Sequence, residues 1–314
     1  MRCFFLVFFS FESRPSENWI VQGDLMRILK FMATVFSLCA INSQINLLAK
    51  KELLTIHLQS DINSTIKAQD QIRESFGKFS IESPELYDGN HQDFEHIQIV
   101  KDKKLESSFM FTLRRDIDGD RDKIWPQGKE RQRNEIKGYQ RSPEPMKAKV
   151  KETHHIKWYL KIDKSFQINK EFCHFFQLKA VGSKNVDDPI LTLSGVTERG
   201  RAQLQLQWWS LKESGRIFLT EWENSKDKWL ICECISNYSK NGSIHFSIRS
   251  MDGEINLKKQ LNNLETWRNG FEFVRPKWGI YRSLAKEKDK LNLKDLIWMN
   301  NFSVRKWKTD ESKK

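Results

Sequence analysis

Short runs in which apolar and polar residues alternate dominate the chain from about residue 150 onward. In residues 156–162 (IKWYLKI) every second position is apolar, and residues 246–249 repeat this alternation before a Met-Asp-Gly-Glu turn. Side chains of a strand point alternately to the two faces of a sheet, so such runs predict half-buried strands. Turn residues separate the runs at short intervals. We therefore predict an all-β fold, a β-jelly roll made of two curved antiparallel sheets.

Helical periodicity is confined to a few places: the N-terminal region, residues 47–58 and residues 257–267. We expect helices there. No internal repeat or low-complexity linker interrupts residues 45–314, which predicts a single domain. Within it, residues 123–149 are rich in charge, Pro and Gln, and are expected to form a loop on either side of one polar strand.

The N-terminal region reads as a leader. From Met26 a short basic start precedes an apolar run of roughly eleven residues and then small and polar residues, which is typical of a secretory signal peptide. The run is too short to span a membrane. Residues 1–44 are therefore expected to be removed, with Met26 as an alternative start. We expect a secreted, monomeric protein without a membrane span.

Charge and composition narrow the choice of partner. The net charge is +12 with a pI near 9.4, which favours a polyanionic partner. No Lys/Arg block of five occurs, and zinc-finger, RNP and helix-turn-helix spacings are missing, so nucleic acid is not expected. The chain has 11 Trp and 21 Phe, and aromatic side chains suit sugar-stacking clefts. An acidic polysaccharide is the expected partner.

Three strand-like segments carry polar side chains on one face, where a purely structural strand would keep a face apolar. With a period of two, the following residues share a face: Arg131, Arg133, Glu135 and Lys137; Phe175, Gln177 and Lys179; Arg275, Lys277 and Tyr281. If the segments are neighbours, these faces form a groove in which Gly279 leaves room for sugars. Arg and Gln can neutralise a carboxylate, and Tyr can act as acid or base. β-Elimination at a 4-linked uronide requires this set.

These segments resemble a known family. Lys277-x-Gly279-x-Tyr281 resembles the Lys-x-Gly-x-Tyr strand of the jelly-roll alginate lyases, Arg133-x-Glu135 resembles their Arg-x-Glu strand, and Gln177 resembles the Gln that begins their Gln-Ile-His strand. Longer phrases, above all PKWGIYRS, are similar to the glucuronan lyase and heparin-lyase-like group over roughly residues 80–307. The resemblance implies a concanavalin A-like sandwich and a lyase acting on a glucuronan-like glycan.

The resemblance also implies roles. Tyr281 would protonate the leaving oxygen, and in a syn elimination it would also remove the C5 proton, while Gln177 and Arg133 would hold the carboxylate. Further substrate contacts are expected from Arg131, Glu135, Arg275 and Lys277. The chain departs from the family at the base, since Lys179 stands where the family has His. His174 lies three residues before Gln177, on the opposite face of a regular strand, so three alternatives stay open: a bulge that turns His174 inward, Lys179, or Tyr281 alone.

Alternate carboxylates in residues 116–122 (DIDGDRD) resemble the start of a calcium loop, with Asp116, Asp118 and Asp120 as ligands. The distal Glu of an EF-hand is missing, and a charged turn paired with nearby arginines is the favoured alternative. The expected reaction requires no cofactor, so calcium would be structural.

Two other functions fit the same fold. A non-catalytic lectin could bind acidic glycans in the groove without cleaving them. A jelly-roll glycoside hydrolase would need two carboxylates flanking the bond. The Glu-x-Asp strand patterns typical of those hydrolases are missing from the sequence, which leaves the lectin as the main alternative.

Overall fold

The computed structural model describes residues 54–87, 91, 94–121 and 130–309. These residues lie in one compact unit, and the predicted leader lies outside them. Their strands are β1 Leu54–Leu58, β2 Ile81–Glu82, β3 Ile97–Asp102, β4 Glu106–Arg114, β5 Arg131–Lys137, β6 Glu152–Ile162, β7 Cys173–Gly182, β8 Leu191–Glu198, β9 Arg201–Trp209, β10 Ser214–Glu221, β11 Trp229–Asn237, β12 Gly242–Ser250, β13 Asn256–Leu264, β14 Phe271–Ser283 and β15 Lys294–Lys308. The helix α1 spans Ala68–Phe76, and 3₁₀ turns occur at Pro84–Leu86, Glu144–Met146, Glu223–Ser225 and Lys288–Lys290.

Two antiparallel sheets form the sandwich. The first has eight strands in the order β13-β12-β11-β6-β15-β4-β3, with β1 also paired to β15. The second has seven strands in the order β10-β9-β8-β7-β14-β5-β2. The prediction of an all-β jelly roll is confirmed. No helix in the described ranges is both long and apolar enough to cross a membrane.

The core lies between the sheets, where the alternating runs place their apolar side chains. On β6, Trp158 is fully buried and stacks on Phe176 of β7, with ring centroids 4.2 Å apart. Trp278 of β14 packs against Phe302 of β15 at 5.2 Å. Large aromatic side chains bury much apolar area each and prefer such stacked and edge-on pairs. The aromatic richness of the sequence therefore supplies the contacts that hold the two sheets together.

Two predicted helices are wrong. The described part of residues 47–58 is strand β1, and residues 257–267 contain most of β13. Leu257 and Leu261 stand four residues apart, a spacing that fits one face of a strand as well as one face of a helix. Pairing with β12 decides for the strand, and both leucines pack on the core. The helix α1 was missed, although Ala68, Ile72 and Phe76 repeat at four-residue spacing.

Candidate active site

The three polar segments are neighbours in the seven-stranded sheet, with β14 between β5 and β7. The polar strand predicted within residues 123–149 is β5, and residues 122–129 lie outside the described part of the chain. A groove of about 790 Å³ lies over these strands. Its lining includes eight of the predicted residues: Arg131, Arg133, His174, Gln177, Lys179, Arg275, Lys277 and Tyr281.

A β-bulge places His174 in this groove. The register between β14 and β7 shifts between Trp278 and Tyr281, and β7 shifts against β8 between His174 and Phe176. His174 therefore pairs with Tyr281, although it lies three positions before Gln177. The bulge that the first alternative required is therefore present, and the choice of base among His174, Lys179 and Tyr281 stays a prediction. The same irregularity corrects the prediction for Phe175, which packs in the core against Trp222 and does not share the face of Gln177.

Tyr281 lies between two arginines. Arg131 donates a hydrogen bond from Nη1 to the Tyr281 hydroxyl oxygen at 2.6 Å, and the Arg133 guanidinium lies 3.7 Å from the centre of the Tyr281 ring. The side chain is largely buried, and this burial raises the pKa of Tyr281 above its ordinary value despite the nearby arginines. The phenol is therefore protonated at neutral pH. Because its oxygen already accepts from Arg131, its own proton is available to a group in the groove.

His174 is held in a neutral state beside Tyr281. The two ring centroids are 6.0 Å apart, and Phe172 stacks on the imidazole at 4.6 Å. Its Nδ1 is 2.8 Å from the hydroxyl oxygen of Ser194 on β8. Burial, followed by the positive charges of Lys179 and other groove residues, lowers the pKa of His174 to about 3. In the tautomer in which Nδ1–H donates to Ser194, Nε2 carries an unprotonated lone pair.

The predicted carboxylate-binding residues share one partner, Glu135. Gln177 donates from Nε2 to Glu135 Oε1 at 2.6 Å, and Arg133 donates from Nη1 to Oε2 at 2.8 Å. Lys277 Nζ lies 2.7 Å from the same oxygen. Arg133 also donates from Nε to Asp120 at 2.7 Å. Glu135 is fully buried, so it fixes the orientation of these donors beneath the groove.

Glu82 completes the network and was missed from the sequence. It lies on β2, a strand of two residues, and its carboxylate is 2.7 Å from Lys277 Nζ. Lys137 and Arg121 also form ion pairs with it, and Arg133 lies at 3.5 Å. Burial alone would raise the pKa of Glu82, but these four cations hold it well below its ordinary value. A strand of two residues shows no alternation of its own, and the polar residues of β5 do not indicate which segment pairs with them, so the sequence did not point to Glu82.

Lys179 and Arg275 lie farther along the groove, opposite one another on β7 and β14. Lys179 donates from Nζ to the carbonyl of Asp187, and Arg275 donates from Nη1 to the carbonyl of Gly138 at 2.7 Å. Burial, with the charge of Lys277, lowers the pKa of Lys179 to about 7. Arg275 is six residues from Tyr281, about 20 Å along an extended strand. The strand positions of Lys179 and Tyr281 are therefore well separated, although the charge of Lys179 reaches His174.

Gly279 has a different role from the one predicted. Its φ is +137°, and a Cβ added there would lie 2.1 Å from the carbonyl oxygen of Asn134 on β5. The missing side chain thus gives space to the neighbouring strand, and the prediction that it leaves room for sugars is wrong. Glycine adopts this backbone conformation without the steric cost that other residues meet.

The three aspartates of the predicted calcium loop have separate partners. Asp116 pairs with Arg115 at 2.9 Å, Asp118 with His96 at 3.0 Å, and Asp120 with Arg133. Among the described residues these three carboxylates do not converge, and Asp118 lies instead beside His91 and His96. The charged turn is the arrangement present, and calcium binding by this segment stays a prediction from the sequence.

The fold of this chain is similar to that of known proteins whose structures are solved. No family model and no curated protein matches the chain. Solved structures do match: the marine PL-14 alginate lyase from Aplysia kurodai has a TM-score of 0.52 and 12% identity, over 80% of this chain and 98% of that one. Alginate lyase Aly36B has a TM-score of 0.50 and 10% identity, over 82% and 98%. The fold is that of jelly-roll polysaccharide lyases.

A third similar structure is the endo-β-1,4-glucuronan lyase from the fungus Trichoderma reesei. Its TM-score is 0.45 at 12% identity, over 73% of this chain and 95% of that one. At such identities the likeness concerns the jelly-roll lyase fold alone.

Proposed function

We propose that this protein is a polysaccharide lyase that cleaves a uronic-acid-containing, glucuronan-like glycan by β-elimination. The observation that carries the proposal is the pairing of Tyr281 with His174 in a groove whose cations are oriented by buried carboxylates. The jelly-roll lyase fold supports it at the level of architecture. The signal-like N-terminal sequence supports secretion, and an extracellular glycan would then be within reach.

Tyr281 is the proposed acid. Its hydroxyl oxygen accepts from Arg131, so the phenolic proton can be donated to the leaving O4. In the elimination a base removes the C5 proton, the C5–H electron pair becomes the C4=C5 double bond, and the C4–O4 pair departs with the oxygen. The raised pKa keeps Tyr281 protonated until this step. The nearby guanidinium groups can stabilise negative charge as it develops.

His174 is the proposed base. Its neutral imidazole lies beside Tyr281, whereas Lys179 pairs with Arg275 farther along β14. An acid and a base that act on adjacent sugar atoms must lie close together, which favours His174. The hydrogen bond between Nδ1 and Ser194 fixes the ring orientation.

Gln177, Arg133 and Lys277 are proposed to neutralise the C6 carboxylate. All three contact Glu135, which spreads its negative charge over several donors. An incoming carboxylate would meet the remaining N–H groups of these side chains. Neutralising it lowers the pKa of the C5 proton and stabilises the enolate-like intermediate. Arg131 and Arg275 are proposed to contact the flanking substrate.

The test is ultraviolet absorbance of the unsaturated product when the protein meets glucuronan, alginate or heparin side by side. The wild type should give a rise on at least one polymer, and Tyr281→Phe should lower the rate by about 10²- to 10⁴-fold. Tyr159→Phe is a matched control, since Tyr159 lies on β6 in the other sheet. Tight binding without any rise in absorbance would identify the lectin. New reducing ends without a double bond would identify a hydrolase.

A further inference from the structure

A second basic pocket lies on the eight-stranded sheet, away from the groove. Its volume is about 390 Å³, and Lys161 of β6, Trp298 of β15 and Trp229 of β11 contribute to its lining. The end of β3 contributes Lys101, and the turn between β3 and β4 contributes Lys103 and Lys104. The groove is built on the other sheet, so the two sites share no residue.

The turn that carries these lysines is anchored by Asp102. Its carboxylate accepts hydrogen bonds from the backbone N–H groups of Lys104 at 2.8 Å and Leu105 at 2.9 Å. Trp229 donates from Nε1 to both oxygens of the same carboxylate at 3.2 Å. The turn is thus tied to β11, which holds the lysines in place before any ligand arrives.

Positive charge in this pocket is only partly compensated. Five lysines and two aspartates line it, and Lys228 is also paired with Glu254 and Asp252 outside the lining. Lys161 lies 3.7 Å from Asp227 and also 5.3 Å from the centre of the Trp298 ring. Lys101, Lys103 and Lys104 are exposed, and no carboxylate of the described chain lies within ion-pair distance of them. Anions would therefore be attracted to this side of the pocket.

We infer that this pocket is a second binding site for an acidic polysaccharide, outside the cleavage groove. The choice of polymer rests on the proposed function. The half-buried indole of Trp298 beside ammonium groups suits a chain of sugar rings that carry carboxylates. Trp229 is buried and Trp298 is half-buried, so neither projects as a membrane anchor would. The pocket lining has no arginine for bidentate phosphate contacts. A polymer held here has a raised effective concentration at the groove.

The test is affinity electrophoresis in native gels containing glucuronan or alginate, in a Tyr281→Phe background that leaves the polymer intact. Lys101→Ala/Lys103→Ala/Lys104→Ala should weaken polymer binding about fivefold. Trp298→Ala should also weaken it. A matched control removes three exposed lysines outside both pockets, Lys78, Lys240 and Lys258, and should change binding less than about twofold.

Equal effects of the two triple variants would overturn the inference. The inference would also be overturned if the Lys101→Ala/Lys103→Ala/Lys104→Ala variant lost binding to phosphatidylserine vesicles or duplex DNA while its affinity for the polysaccharide stayed unchanged. The electrophoresis measures binding and needs no cleavage, so a failure of the proposed lyase reaction can be distinguished from a failure of the second binding site. A protein that cleaves no uronide, but whose polymer binding still depends on these lysines, would refute the lyase reaction and leave the second site standing.

Discussion

His174 and Tyr281 face each other from adjacent strands, with ring centroids 6.0 Å apart, because a bulge interrupts the register between β7 and β14. A regular strand would direct His174 into the core, since it lies an odd number of residues from Gln177. The irregularity thus places an imidazole beside Tyr281, at a different strand position from Lys179, which stands where the alginate lyases have His.

The first prediction separates the two candidate bases. His174→Gln should lower the turnover number by about 10²- to 10⁴-fold, because Gln cannot accept the C5 proton. Lys179→Ala should retain most of the turnover and mainly raise KM, because Lys179 pairs with Arg275, six residues from Tyr281 on β14. Initial rates from product absorbance measure both. The reverse pattern would make Lys179 the base.

The second prediction concerns Glu82. Glu82→Gln removes the charge that compensates Lys277, Lys137 and two arginines, so it should lower the free energy of unfolding by about 3 kcal/mol. Urea unfolding followed by tryptophan fluorescence measures this. Glu254→Gln is the control, because its pair with Lys228 is exposed and should contribute less than about 1 kcal/mol. Similar losses in both variants would show that the buried network does not stabilise the fold.

The third prediction is a pH dependence of stability that arises from His154. This residue is fully buried, with Nε2 2.9 Å from the carbonyl of Pro145 and Nδ1 3.0 Å from the Tyr238 hydroxyl. Burial lowers the pKa of His154 to about 3, against 6.5 in an unfolded chain. The unfolded state therefore binds more protons below pH 6.5. The stabilising contribution is complete above that pH and is lost as pH falls towards 3.

His154→Gln tests this dependence, since Gln can also donate to Pro145 and accept from Tyr238. Between pH 6 and pH 4, the wild type should lose about 1.4 kcal/mol per pH unit more than the variant. Urea unfolding at several pH values gives the two slopes. Parallel slopes would assign the acid sensitivity to other groups, such as Glu82 or Asp118, whose lowered pKa acts in the same direction.

The fourth prediction concerns Gly279. Gly279→Ala would force Cβ against the Asn134 carbonyl, so it should destabilise the protein and disturb the pairing of β5 with β14. Gly253→Ala is the control, since Gly253 also has a positive φ (+85°) but open space around it. That variant should lose only the backbone strain of about 1–3 kcal/mol. Calorimetry measures the loss of stability in both variants. Equal losses would contradict the prediction, because they would show that the contact between the new Cβ and the Asn134 carbonyl costs nothing beyond the backbone strain.

Sequence patterns predicted what depends on regular geometry. Alternation on β6 gave a strand, and the shared faces of β5, β7 and β14 gave most of the groove. Period-two reasoning failed at His174, because one bulge inverts the face of every residue beyond it. It also failed at Glu82, which is 195 residues from Lys277 and lies on a strand too short to show a period. Leu257 and Leu261 were ambiguous because four-residue spacing suits helix and strand alike.

The two-residue strand β2 forms the outer edge of the sheet, and its pairing with β5 spans only Ile81 and Glu82. Short edge segments open at a smaller free-energy cost than central strands. Each such opening would withdraw Glu82 and leave Lys277 without one of its two counter-charges. Fraying at one margin of the molecule and the protonation equilibrium of a lysine in the groove are therefore thermodynamically linked.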